Sequence, residues 1–118
     1  MRNELWTYRT FNRDIITDQL KGFSVEAQDG SIGKVDDVTD EVGRSYIVVD
    51  TGPWIFGRKV VIPAGTIERI EWDDQMVHVS LTKDQIKDSP EFDPERGYDD
   101  EYHTRLGTYY TTEMRRAS

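Results

Sequence analysis

Residues 46–63 read YIVVDTGPWIFGRKVVIP, and their order decides the fold: two short β-branched runs flank a turn rich in large apolar side chains. Tyr46, Ile47, Val48 and Val49 are too few for a helix. They are apolar at odd and even positions alike, so they predict a strand covered on both faces. Residues 58–62 predict the next strand, with Val60 and Ile62 on one face, and Pro63 ends it because proline has no amide for a ladder. Between the two, Pro53, Trp54, Ile55 and Phe56 put three large apolar side chains at a loop tip, where polar residues are the norm.

Working outward, turn signals recur at regular spacing. Alternation over residues 23–28 ends at Asp29-Gly30, which predicts a type I′ hairpin. Ile32 and Val35 are three apart, so Gly33 between them predicts a bulge at a barrel corner. Val42-Gly43 returns the chain to a third strand over 45–51. Ala64-Gly65 leads into a fifth strand over 66–72 and Asp73-Asp74-Gln75 turns again. A sixth strand covers 76–81, where Val77, Val79 and Leu81 alternate against Met76, His78 and Ser80. Thr82 with Gln85 is a capping-box pair heading a short helix over 83–88, which Ser89-Pro90 ends. Tyr102, Leu106 and Tyr109 or Tyr110 recur at helical spacing and predict a short helix frayed at Gly107. Leu5, Trp6, Tyr8 and Phe11, set among polar residues, predict an extended arm.

A chain of 118 residues, 36% hydrophobic, is one domain's worth. Its divisions are an N-terminal arm over 1–19, a core domain over 20–93 and an acidic, tyrosine-rich tail over 94–118. With 15 basic against 23 acidic residues the net charge is −8. That sign repels phosphate backbones and anionic headgroups, so neither a nucleic-acid partner nor membrane insertion is expected. No apolar run approaches the roughly 20 residues a bilayer needs, and residues 1–20 mix Glu4, Arg9 and Asp14 among their hydrophobes, unlike an anchor or a signal peptide. The absence of cysteine excludes disulfides, thiolate catalysis and cysteine-ligated metals, and fits a reducing compartment. A cytoplasmic protein is expected.

Residues 46–63, together with DGSIGKVDDV upstream and LTKDQIKDSPEFD downstream, resemble the PRC-barrel family. That family includes the cytoplasmic barrel of the photosynthetic reaction centre H subunit, a domain of a ribosome maturation factor, and stand-alone bacterial and archaeal proteins, which are the nearest in pattern. The resemblance spans residues 20 to about 92. It implies a mainly β fold: a small six-stranded antiparallel barrel, a short helix after the last strand and a C-terminal helical tail. Tyr102, Leu106, Tyr109 and Tyr110 match a tyrosine-rich close common in the stand-alone group. Thr111-Thr112 depart from it where a glycine is frequent, and no second barrel copy follows. Members act mainly as binding or assembly domains.

The residues themselves offer little chemistry. Asp36, Asp37, Asp40 and Glu41 could converge on a hard cation, but they lack the loop spacing of a calcium site and read as a solvated face and turn. His78 and His103 are the only imidazoles, and their placement suggests neither a metal pair nor a triad. Gly30-Ser31-Ile32-Gly33-Lys34 precedes a strand instead of a helix, so it is no phosphate loop. Trp72 lies among Glu71, Asp73 and Asp74, the wrong sign for stacking a base. No catalytic, cofactor-binding or metal-ligating residue is assigned, and no enzyme activity is expected. What remains is adhesive: Trp54, Ile55 and Phe56 on the loop, Trp6 and Tyr8 on one arm, and Tyr102, Leu106, Tyr109 and Tyr110 on the other. The loop either plugs its own barrel end or contacts another chain. The expectation is a protein–protein interaction or assembly module that binds itself, as a homodimer or larger, or another protein. The alternative is a small-ligand or metal-binding regulatory domain.

Overall fold

The computed structural model describes residues 4–6, 17–39, 44–52, 54–55, 58–93 and 95–116. Six strands and two helices follow in chain order: β1 (Ser24–Ala27), β2 (Gly30–Val38), β3 (Tyr46–Asp50), β4 (Lys59–Pro63), β5 (Ile67–Glu71), β6 (Met76–Val79), α1 (Lys83–Lys87) and α2 (Asp100–Arg116). All six predicted strands occur, within a residue or two of their expected limits. β3 is the doubly covered strand that its composition demands, with Ile47, Val48 and Val49 all buried. β1 and β6 alternate half-buried and buried residues instead, so one face of each meets the core.

The six-stranded antiparallel barrel is not what forms. The sheet is mixed and open, in the order β4-β3-β2-β1-β6-β5. β1 runs parallel to β6, pairing Ser24 with Met76, Val25 with Val77 and Glu26 with His78; the other ladders are antiparallel. β4 and β5 therefore stand at the two edges, joined by the buried 3₁₀ turn Ala64–Thr66, and share no ladder among the described residues. The physical reason lies in the connections. Hairpins fix the β1–β2, β3–β4 and β5–β6 directions, but the β1–β6 contact joins segments about fifty residues apart, whose relative direction no local turn controls.

The Asp29-Gly30 turn differs from expectation as well. Ala27 pairs with Gly30, so Gln28 and Asp29 form the loop, and neither has the positive φ that a type I′ turn requires. The bulge is real: Val25 faces Gly33 and Glu26 faces Ser31, leaving Ile32 as the extra residue. Gly33 has φ +148°, and a Cβ there would lie 2.1 Å from the Asp50 carbonyl oxygen. Only glycine lets β2 and β3 approach so closely at this bend.

α1 opens on the expected capping box: Thr82 Oγ1 accepts from Gln85 N at 3.2 Å, and Gln85 Oε1 accepts from Thr82 N at 2.9 Å. α2 is longer than the short, frayed helix expected and runs unbroken through Gly107. Asp99 heads it, its Oδ1 accepting from Tyr102 N at 2.8 Å. At the other terminus the described part of the arm is 3₁₀ at Glu4–Trp6 and Thr17–Leu20, not extended. Leu5, Trp6 and Leu20 join the core.

Candidate functional site

Two places gather the residues selected from the sequence. The first is the seat of α2. Tyr102, Leu106 and Tyr110 recur every four residues, hence on one helical face, and all are buried within their own chain. Tyr109 is half-buried. Two of the tyrosines reach the exit of α1: the Tyr109 hydroxyl donates to Gln85 O, a last-turn carbonyl, at 2.6 Å, and the Tyr102 hydroxyl to Pro90 O, three residues beyond the helix, at 3.0 Å. Arg58, just before β4, completes the set. Its Nη1 donates to Lys87 O at 2.7 Å and its Nη2 to Ser89 O at 2.9 Å. Arg58 carried no signal in the sequence, where it reads only as a strand's first residue.

Trp6 belongs to the same seat. It is buried, lies tilted against the His103 ring at 4.3 Å and meets Tyr98 edge-on at 6.4 Å. Tyr98 in turn stacks on Tyr46 at 4.2 Å, and its hydroxyl lies 2.5 Å from His103 Nδ1. Burial raises the Tyr98 and Tyr102 ionisations well above the usual phenol range. Aromatic residues of both termini thus meet beside Tyr46, the first residue of β3. Tyr8 lies outside the described residues.

The second place is the loop before β4. Trp54 N donates to Thr51 O at 3.1 Å, Arg58 N to Ile55 O at 3.0 Å, and Thr51 Oγ1 lies within hydrogen-bond distance of both Ile55 O and Arg58 O, at 2.7 and 2.6 Å. The buried threonine pins the loop's backbone from inside. Trp54 and Ile55 are both half-buried. Trp54 packs one side against the core, and Lys83 Nζ stands 5.1 Å from its ring centroid. Pro53 and Phe56 lie outside the described residues.

Several carboxylates hold cations of the same chain. Asp36 Oδ2 pairs with Lys59 Nζ at 2.9 Å, which raises the lysine's pKa, and Asp37 faces Lys21 at 3.7 Å; Asp40 and Glu41 lie outside the described residues. His78 Nε2 lies 2.8 Å from Glu71 Oε2, and this hydrogen bond lowers the Glu71 pKa. Glu91, Asp93, Glu95, Asp99, Asp100 and Glu101 make the stretch before and into α2 strongly acidic. Within it Arg96 pairs with Asp99 at 3.0 Å and Glu101 at 3.3 Å, and Arg44 reaches Asp100 at 2.6 Å. Among the described residues no three histidine or carboxylate side chains converge as a metal site, and no helix is long and apolar enough to cross a membrane.

Comparison with solved structures places this sheet. A 16S ribosomal RNA processing protein, RimM, from Pseudomonas aeruginosa superposes with a TM-score of 0.52 at 20% identity, over 59% of this chain and 45% of its own. The fold is PRC-barrel-like. An uncharacterized protein of Deinococcus radiodurans is 40% identical over 73 residues, 59% of this chain and 26% of the relative. The chain therefore spans about a quarter of that relative's length. No protein-family model matches.

The exclusion of nucleic acid as a partner does not survive this comparison. It rested on a net charge of −8, but a similar fold occurs in a protein named for 16S ribosomal RNA processing. Net charge is a sum over the whole chain, whereas screening confines a charge's influence to about 8 Å at physiological salt. Local arrangement decides what docks.

Proposed function

We propose that this chain is a non-catalytic docking module that works on ribosomal or RNA-processing particles. The observation that carries the reading is the similarity of fold to a 16S ribosomal RNA processing protein; fold alone does not assign a task, so the local chemistry must agree with it. It does so in two respects. The half-buried Trp54 and Ile55 sit on a backbone held by Thr51 and Arg58, which is the rigid aromatic and aliphatic presentation that binding surfaces favour. The acidic stretch from Glu91 to Glu101 suits the basic protein surfaces with which RNA-containing particles are built. Both imidazoles are engaged with neighbours, His78 with Glu71 and His103 with Tyr98.

Sedimentation of the tagged full chain through a sucrose gradient of native-cell extract tests the proposal. Comigration with ribosomal subunits or their precursors, lost on nuclease treatment or high salt, is the expected result. A chain that stays at the top of the gradient at physiological salt, with no ribosomal component in its crosslinked eluate, would overturn it.

A further inference from the structure

The outward face of α2 carries an open groove of about 370 Å³, lined by Thr104, Gly107, Thr108 and Thr111 from the helix and by Trp6 and His103 beside it. Spacings of three and four residues put the helical positions on one face, turned away from the buried Tyr102, Leu106 and Tyr110. Trp6 is only 3% exposed, and its indole N–H has no hydrogen-bond partner among the described residues. A Cβ on Gly107 would stand 3.4 Å from Trp6 Nε1. Both residues line the groove, so the N–H opens into it. The backbone does not explain the glycine: Gly107 has no positive φ, and glycine is disfavoured inside a helix relative to alanine. Its evident effect is to leave the indole donor uncovered.

No lysine, arginine, aspartate or glutamate lines the groove among the described residues. An anionic ligand, an RNA backbone included, finds no counter-charge there. A purely apolar one would strand the indole N–H and the threonine hydroxyls. The electrostatic complement of a neutral donor flanked by neutral hydroxyls is a neutral acceptor, and every residue of a polypeptide offers one in its main-chain carbonyl. Thr104 to Thr111 covers about 10 Å of helix axis at 1.5 Å per residue, the length of about three residues of extended chain. We infer that the groove binds an extended, uncharged segment of a partner protein. One main-chain carbonyl of that segment accepts from Trp6 Nε1–H, the threonine hydroxyls meet the peptide groups on either side, and Gly107 lets the backbone come close to the indole. This goes beyond the ribosomal reading, because it specifies the chemistry of the segment and not the particle that carries it.

Selection on the full chain from a displayed library of random twelve-residue peptides tests this, followed by nuclear magnetic resonance with a selected peptide. The chain has three tryptophans, so their indole N–H signals are read side by side. Selected peptides should be poor in charged residues, and adding one should shift the Trp6 signal while those of Trp54 and Trp72 stay in place. Gly107→Ala separates binding from folding. Its methyl group covers the indole N–H, so affinity should fall about tenfold, the equivalent of one lost hydrogen bond, while the melting temperature does not drop. A library that yields no binder, binders that are highly charged or that move Trp54 instead of Trp6, or a Gly107→Ala variant that binds as tightly as the parent would each overturn the proposal. A Trp6 signal that moves with protein concentration alone would give the groove to a second copy of the chain and overturn it equally.

Discussion

Arg58 Nη2 donates to the carbonyl of Ser89 at 2.9 Å, joining two residues that sit thirty-one positions apart on opposite sides of the β4–β6 segment. The same guanidinium holds Lys87 O, while Tyr109 and Tyr102 from α2 hold Gln85 O and Pro90 O. A helix as short as α1 cannot persist on its own hydrogen bonds. Here its exit is fixed by Arg58, just before β4, and by side chains from α2, and its entry by Thr82, Gln85 and the Asp29 carboxylate, which accepts from Lys83 N at 2.8 Å. α1 is thus the part through which the Trp54 loop and the C-terminal helix are attached to one another.

Replacing Arg58 by methionine keeps the aliphatic stem and removes both donors. Hydrogen bonds from a charged donor contribute about 1.5 to 3 kcal/mol each, and Arg58 is half-exposed, so the expected loss is about 2 to 3 kcal/mol in all. Urea denaturation should show a lower midpoint with an unchanged slope. Amide exchange should accelerate first over residues 85–90; an unchanged midpoint would mean that the carbonyls are served equally well by water.

Gly33→Ala should be far more damaging. The added Cβ would meet Asp50 O at 2.1 Å and Thr51 Cα at 2.9 Å, both backbone atoms, at a φ of +148°. Neither neighbour can yield without opening the β2–β3 ladder, so the expected cost is roughly 3 kcal/mol or more. Circular dichroism and thermal melting read it directly; a variant within a degree of the parent would refute the close approach.

The contrast between these two residues shows what was legible in the sequence. Gly33 announced itself, because it interrupts a period-two pattern that neighbouring residues establish. Arg58 did not, because its role depends on carbonyls thirty residues away. The same distinction separates the strands, all found through local apolar patterning and turns, from the parallel β1–β6 pairing and the open edges, which are decided by long-range packing. Tyr102, Leu106 and Tyr110 were recognisable as one helical face, yet only the fold shows that this face is covered by its own chain. The length of α2 was missed because glycine's helix penalty was weighed without its surroundings.

Gly107 tests that last point. Its position under the Trp6 indole leaves an added Cβ 3.4 Å from Trp6 Nε1, a contact with a side chain and not with backbone. Alanine gains about 1 kcal/mol over glycine inside a helix, and this contact is too mild to cancel it. Gly107→Ala should therefore stabilise the protein by about 0.5 to 1 kcal/mol. Gly107→Leu should displace Trp6 and destabilise it. Melting temperatures of the two variants should move in opposite directions.

Asp99 makes α2 sensitive to acid. Its Oδ1 accepts from Tyr102 N, and this hydrogen bond, helped by Arg96, lowers its pKa below the ordinary 3.8. A group whose pKa is lowered by folding stabilises the folded state above its ordinary pKa, and that contribution is lost as pH falls through the folded value. Exchange protection of the Tyr102 amide should hold at pH 5 and decline below about pH 4. Asp99→Asn retains a capping oxygen that does not titrate and should remove this acid step; an identical pH profile in both proteins would refute the assignment.

Docking through the loop can be separated from folding because Trp54 and Ile55 are only half-buried. Full burial of such side chains is worth about 1.5 to 3 kcal/mol each. A partner covering the remaining half of both would gain about 1.5 to 3 kcal/mol together, a roughly ten- to hundredfold change in affinity. That is too little to offset the 4 to 15 kcal/mol that association costs, estimated roughly, so the loop must act with other contacts and its removal should weaken docking without abolishing it. Trp54→Ser with Ile55→Ser should therefore keep the far-ultraviolet spectrum of the parent and raise the dissociation constant for the sedimenting particle by about ten- to hundredfold. The loss should be matched at every salt concentration, because apolar burial is insensitive to screening, whereas changes to Glu91 or Glu101 should weaken docking mainly at low salt. A double variant that binds as tightly as the parent would remove the loop from the interface, and one that unfolds would make it a plug of its own core.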